Sequence, residues 1–241
     1  MRVVCVIQAR VGSTRLPAKV LLDLAGEPVL AHVLRRARRI AGVDDVVVAT
    51  STDPADDLVA AMCGRLGVRA VRGSLEDVLA RYVVAARETR ADAIVRITSD
   101  CPFLDPARSG AVVRAFLSEA PDYASNVMDR RLPRGLDTEI VSMAALVRAD
   151  AEASGEDREH VTRHVYRHPE SFRCLSVRGE GEDLSMHRWT LDTIADYRFL
   201  CAVASALGSR APDAGMHEVL AVLEAHPAIV GINREVRQKG A

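Results

Sequence analysis

Short, unbroken apolar runs alternate with longer stretches of helical period through the first half of the chain. Residues 3–7, 46–50 and 93–98 are continuous and rich in Val and Ile, which predicts strands buried on both faces, and residues 68–71 add a shorter one. Between them, Val29, Leu30, Val33, Leu34 and Ala37 recur at helical spacing with arginines on the opposite side, predicting a helix over 29–40. Asp53-Pro54 and Asp105-Pro106 each place a capping carboxylate before a proline, so helices are expected to run to about residue 66 and over 107–117; another is expected over 75–88. This alternation predicts right-handed βαβ units and a parallel sheet covered on both sides.

The second half is less regular. Its pattern predicts strands at 138–141, 172–177 and 187–190, and helices at 143–153, 157–166, 193–207 and 216–225. No low-complexity linker or internal repeat divides the chain. The expectation is one domain over 1–241, with a regular half (1–125), a less regular half (126–207) and a C-terminal extension (208–241).

Composition narrows the function classes. A formal net charge of −1 argues against a nucleic-acid binder with a broad basic face. Five scattered cysteines without a C-x-x-C spacing read as reduced thiols. With neither a signal-peptide pattern nor a membrane-length apolar run, a soluble cytoplasmic protein is expected.

Ligands of open parallel sheets sit at the carboxyl ends of the strands. After the first strand comes Gln8-Ala9-Arg10-Val11-Gly12-Ser13-Thr14-Arg15-Leu16-Pro17-Ala18-Lys19, which holds three cations, hydroxyls and a glycine but no carboxylate. Backbone N–H groups near Gly12 and Ser13, with guanidinium and ammonium groups, suit a polyphosphate, although the Walker spacing is absent. Asp100 ends a buried strand, where a carboxylate needs a cation or a cap.

The run A-R-x-G-S-T-R-L-P-x-K resembles the opening of the cytidylyltransferases that make CMP-octulosonate and CMP-sialate. Leu24–Leu30, Arg72–Tyr82, Arg96–Pro102 and Arg188-Trp189-Thr190-Leu191-Asp192-Thr193 extend the resemblance to about residue 207, nearest the spore-coat polysaccharide branch. It implies a Rossmann-like α/β three-layer sandwich with a mostly parallel central sheet and a smaller acceptor-binding and dimerisation subregion. It also implies transfer of CMP from CTP to a small acceptor, with release of pyrophosphate, in surface polysaccharide synthesis.

By the same resemblance Arg10 and Lys19 are catalytic, and Gly12, Ser13 and Arg15 join them on the triphosphate. Gln8, Ala9, Thr50, Arg72 and Ser74 surround base and ribose. Asp100 and Asp192 hold Mg²⁺, while Arg134, Asp137, Glu139 and His160 meet the acceptor. Asp137 and Glu139 lie two apart on an expected strand and so would share a face. The acceptor class stays open among a sugar acid, a polyol phosphate and a phosphonate, and a homodimer is expected. Val20 stands where sialate-type relatives carry Asn. A glycosyltransferase, a nucleotidyltransferase using another nucleotide and a non-catalytic nucleotide-binding partner are the alternatives.

Overall fold

The computed structural model describes residues 1–179 and 181–238. The first apolar run becomes β1 (Val3–Gln8), followed by a two-residue hairpin of β2 (Asp23–Leu24) and β3 (Glu27–Pro28) that the apolar pattern did not predict. Next come α1 (Val29–Ala37), β4 (Asp45–Ser51), α2 (Asp57–Arg65), β5 (Arg69–Gly73) and α3 (Val78–Thr89). β6 (Ala93–Thr98) and α4 (Pro106–Glu119) complete the regular half. The remainder comprises β7 (Tyr123–Ser125), β8 (Glu139–Ser142), α5 (Met143–Glu152), α6 (Glu156–Glu159), α7 (Arg163–Arg167), β9 (Cys174–Ser176), α8 (Ile194–Leu207), α9 (Met216–Ala225) and α10 (Pro227–Val230).

The main sheet has the order β5-β4-β1-β6-β8-β7-β9. β5, β4, β1 and β6 are parallel; β8 runs antiparallel to both β6 and β7, and β7 pairs in parallel with β9. Strand alternation sorts β1 between two cores. Val3, Cys5 and Ile7 pack under α1, α2 and α4, whereas Val4 and Val6 pack under α3 and α5. That is the three-layer α/β sandwich expected from the alternating elements. A third cluster joins Trp189 to α8 and α9. Arg36 ties it to the sheet, its fully buried guanidinium donating to the carbonyls of Leu104 (3.1 Å), Ala211 (3.0 Å) and Ala214 (2.6 Å).

Three elements differ from their sequence expectation for identifiable reasons. The helix expected over 75–88 starts at Val78, because the Asp77 carboxylate accepts from Ala80 N at 2.9 Å and caps it. The helix expected over 157–166 breaks into α6 and α7 at Val161, whose φ of 54° lies in the left-handed region. A β-branched residue there costs about 1–3 kcal/mol, which complete burial of its side chain helps to offset. The strand expected over 187–190 reduces to a single bridge between Arg134 and Arg188.

Candidate active-site cleft

The loops after β1 and β6 open into a cleft of about 420 Å³ at the carboxyl end of the parallel strands. The loop after β1 is shaped by its own backbone: Ser13 N and Ala18 N both donate to Val11 O, at 2.8 and 3.0 Å. Its base is fixed by the buried Asp56, which accepts from Val11 N at 2.6 Å and from the Ser51 hydroxyl. The left-handed residue of the loop is Ala18 rather than Gly12. A Cβ at Gly12 would meet nothing within 4 Å, so its bareness keeps cleft space open rather than easing a turn.

At the centre, the Lys19 ammonium lies 2.7 Å from Asp100 Oδ2 and 2.8 Å from Asp192 Oδ1. The two aspartates, 92 positions apart in the chain, thus meet across one cation. Arg15 reaches Asp192 Oδ2 at 3.1 Å and Arg188 reaches the same oxygen at 2.7 Å. Thr98 donates its hydroxyl to Asp100 Oδ1 at 2.6 Å. Burial alone would depress the lysine pKa, but the two carboxylates outweigh it and hold it above the ordinary value. Burial likewise pushes the Asp192 carboxyl up, yet Lys19, Arg188 and Arg15 together hold it below the usual range.

The donor set suits a hard divalent cation. Two carboxylate oxygens lie within 2.8 Å of one ammonium, a position one ion could take in its place, and the Cys101 thiol 3.5 Å from Asp100 is the softer neighbour. Among the described residues no group of three or more His, Cys, Asp or Glu side chains gathers, so such an ion would draw its other ligands from substrate and water.

One wall carries Arg134, Gly135 and Asp137. Gly135 sits at φ 106°, and a Cβ there would lie 2.8 Å from the Trp189 carbonyl oxygen. Trp189 N donates to Arg134 O at 2.7 Å, so this close approach fixes residues 134–137 against the strand-like 187–190 segment. Asp137 is held in a two-bond fork by Arg130, at 2.5 and 2.8 Å. Arg134 has no ion-pair partner among the described residues. Burial, with Arg130 nearby, lowers its pKa.

Gln8, Ala9, Arg10, Gly12, Ser13, Arg15, Lys19, Asp100, Arg134, Asp137, His160 and Asp192 all line this cleft, Arg10 lying 3.9 Å from Glu159 on the rim. Four expected site residues do not. Thr50 is fully buried within β4. Arg72 is tied to Ser51 O, Asp53 O and Asp57 on the sheet edge. Ser74 accepts from Asp77 N at 3.0 Å ahead of α3. Glu139 lies beneath the floor, paired with Arg96 and accepting from Tyr123 and Thr162, because β8 begins at Glu139 and Asp137 precedes it in the loop. Arg72, Ser74 and Glu139 are thus held by ties within the fold, whereas the Thr50 hydroxyl is buried without a hydrogen-bond partner among the described residues.

The cleft also contains residues that sequence reasoning passed over: Arg81, Thr98, Ser99, Thr190 and Gln238. Gln238 enters from the C-terminal segment, where its side-chain oxygen accepts from Arg188 at 2.5 Å. Asn233 supports that approach by donating to Arg188 O and Asp196, both at 3.0 Å. No local signal points to Gln238, whereas a basic residue on the buried side of a helix, as at position 81, is one.

The profile of the cytidylyltransferase family matches residues 4–204. The chain is 34% identical to the spore coat polysaccharide biosynthesis protein SpsF of Bacillus subtilis, over 92% of this chain and 94% of that protein. It is 31% identical to a 3-deoxy-manno-octulosonate cytidylyltransferase of Anaeromyxobacter dehalogenans, over 88% and 93% respectively. A cytidylyltransferase structure from Leptospira borgpetersenii superposes with a TM-score of 0.91, at 31% identity and full coverage of both chains.

Proposed function

Because this chain belongs to the cytidylyltransferase family, we propose that its cleft joins CMP from CTP to a small acid-bearing acceptor and releases pyrophosphate, as a step in polysaccharide biosynthesis. The observation that carries the reading is the meeting of Lys19, Arg15, Asp100 and Asp192 beside a carboxylate-free loop. A nucleoside triphosphate brings non-bridging oxygens that compete with the aspartates for Lys19. With the ammonium turned to phosphate, Asp100 and Asp192 would hold Mg²⁺, which when bound would neutralise phosphate charge. Arg10 and Lys19 then stabilise charge building up on the α-phosphate and on the departing pyrophosphate.

Arg134, with no carboxylate partner, is the natural anchor for the acceptor's acidic group. The Asp137 carboxylate, already oriented by Arg130, is placed to accept from acceptor hydroxyls. Binding both substrates in one cleft turns attack of an acceptor oxygen on the α-phosphorus into an effectively unimolecular step. The 3-deoxy-manno-octulosonate cytidylyltransferase among its relatives favours a sugar acid as acceptor, and the spore-coat relative favours a polysaccharide pathway. We propose also that the protein is a homodimer, for which sedimentation should give twice the 26.1 kDa chain mass. Among the described residues no helix is long and apolar enough to cross a membrane.

The test is pyrophosphate release from each of CTP, UTP, ATP and GTP, with Mg²⁺ and a panel of sugar acids, polyol phosphates and phosphonates. Release from CTP with an acidic acceptor, at least tenfold above the other nucleotides, is expected. Equal turnover of all four, or release only from another nucleotide, would defeat the reading.

A further inference from the structure

The segment after α10 belongs to no helix or strand, yet it reaches the cleft. It turns at Asn233, whose carbonyl accepts from Val236 N at 3.0 Å, and Gln238 then joins the cleft lining. Both side chains end on Arg188. The buried Asn233 amide donates to the Arg188 carbonyl and to Asp196 Oδ1, and Gln238 Oε1 accepts from Arg188 Nη1.

The charges they hold start from a helix cap. Asp196 is the third residue of α8 and closes a capping box with Thr193, so its carboxylate folds back on the residues before the helix. Asp196 Oδ2 accepts from Asp192 N at 3.1 Å and from Thr193 N at 2.9 Å. Arg188 docks on the same carboxylate, Nε on Oδ1 at 2.9 Å and Nη2 on Oδ2 at 3.2 Å. A fully buried Asp196 would be expensive without that guanidinium. Nη2 also donates to Asp192 Oδ2 at 2.7 Å, so the pair fixes both the backbone of Asp192 and one oxygen of its side chain.

The two aspartates of the cleft are thereby made alike. Asp100 has Oδ1 tied to the Thr98 hydroxyl and Oδ2 on Lys19; Asp192 has Oδ2 tied to Arg188 and Oδ1 on Lys19. Arg15 also reaches Asp192 Oδ2, but it belongs to the loop after β1 and is free to follow Lys19 to a phosphate. Arg188 has all three nitrogens engaged and stays. Asp100, Asp192 and Asp196 then face one guanidinium, a surplus of negative charge that one divalent cation balances. Mg²⁺ demands a near-ideal octahedron and takes single oxygens from one or two carboxylates, whereas Ca²⁺ favours more oxygens and often takes both from one carboxylate.

On the reading of the protein as a metal-dependent, CTP-using enzyme, we propose that Arg188 is the positioning residue of Asp192. It occupies Oδ2, leaves Oδ1 as the single oxygen offered to an ion, and so favours Mg²⁺ over Ca²⁺. The C-terminal segment, through Asn233 and Gln238, holds Arg188 to that role.

Isothermal titration of the full chain with CTP in EDTA, with CTP and Mg²⁺, and with CTP and Ca²⁺ tests this, alongside melting temperatures. The gain in CTP affinity that each ion brings reads the metal site apart from the rest of the cleft. In wild type the gain from Mg²⁺ should exceed the gain from Ca²⁺. Arg188→Lys, a single point charge that cannot bridge Asp196 and Asp192, should lose at least tenfold of the Mg²⁺ gain and bring the two ions level, with affinity in EDTA within about twofold. Gln238→Ala, at an exposed position, should lose about threefold of the Mg²⁺ gain and melt with wild type. It decides the matter alone if Arg188→Lys does not fold. Equal losses with and without metal mark residues that only maintain the fold and overturn the proposal. Wild-type gains and ion preference in the variants overturn it too, while the enzyme reading stands. If wild-type protein binds CTP with no gain from Mg²⁺, the positioning role falls; if it binds no CTP, the enzyme reading falls as well.

Discussion

Lys19→Ala removes the ammonium that lies within 2.8 Å of both Asp100 and Asp192. Each lost bond is charge-assisted, and such bonds contribute about 1.5–3 kcal/mol. Asp192 keeps Arg15 and Arg188, and Asp100 keeps the Thr98 hydroxyl, so the lower end applies to each. The expected cost in metal-free buffer is then about 2–4 kcal/mol. In a chain of this size one kcal/mol moves the melting temperature by about 2–4 °C, so the variant should melt roughly 5–15 °C lower. Added Mg²⁺ should recover more of that loss in the variant than it adds to wild type, because no ammonium competes for the carboxylate oxygens. Differential scanning fluorimetry of both proteins across a MgCl₂ series, with potassium salt held at constant ionic strength, reads both effects. A variant that melts with wild type and gains nothing extra from Mg²⁺ would show that the ammonium does not stand at a metal position.

Gly135→Ala places a Cβ 2.8 Å from the Trp189 carbonyl at φ 106° and should cost about 2 kcal/mol or more, together with most acceptor turnover; wild-type kinetics and melting would contradict the tight packing of that wall. Arg36→Met leaves three buried carbonyls short of a donor, so a loss of about 3 kcal/mol is expected, with faster amide exchange in residues 208–225; unchanged exchange there would show that the guanidinium does not tie down the C-terminal helices. Burial depresses the His32 pKa below its ordinary 6.5, although its Nε2 meets Leu24 O and Glu27 is close. The unfolded chain therefore takes up a proton first, and the stability due to neutral His32 is complete above pH 6.5 and lost as pH falls below it. Melting between pH 6.5 and 5.5 should drop with a slope of up to about 1.4 kcal/mol per pH unit that His32→Gln flattens; equal slopes in the two proteins would contradict it.

The strands β1, β4 and β6 were legible because burial on both faces demands unbroken apolar runs, and three such runs separated by helical spacing leave few topologies. The phosphate loop was legible from its cations and its place after β1. The encounter of Asp100 with Asp192 was available only through family resemblance, since the 92 positions between them give no local hint. Glu139 was misplaced because a two-residue alternation assumes a strand through 137, whereas β8 starts at Glu139 and pairs it directly with Arg96 across the sheet. Arg96 inside an otherwise apolar strand was the signal for a buried acidic partner. β7 is three residues long and escapes any periodicity. Arg81 carries a local signal, a cation on the buried side of α3, but only the tertiary structure shows that this side meets the cleft.

On the function proposed above, cytidylyl transfer depends on the paired aspartates Asp100 and Asp192. The most direct measurement of that dependence is pyrophosphate release from CTP, with the acceptor found active, by wild type and by Asp100→Asn, Asp192→Asn and the double variant, each checked for cooperative unfolding. A loss of at least a hundredfold in every variant that still folds is predicted, with the double variant little worse than either single one. Turnover near wild type in the folded double variant would contradict the claim.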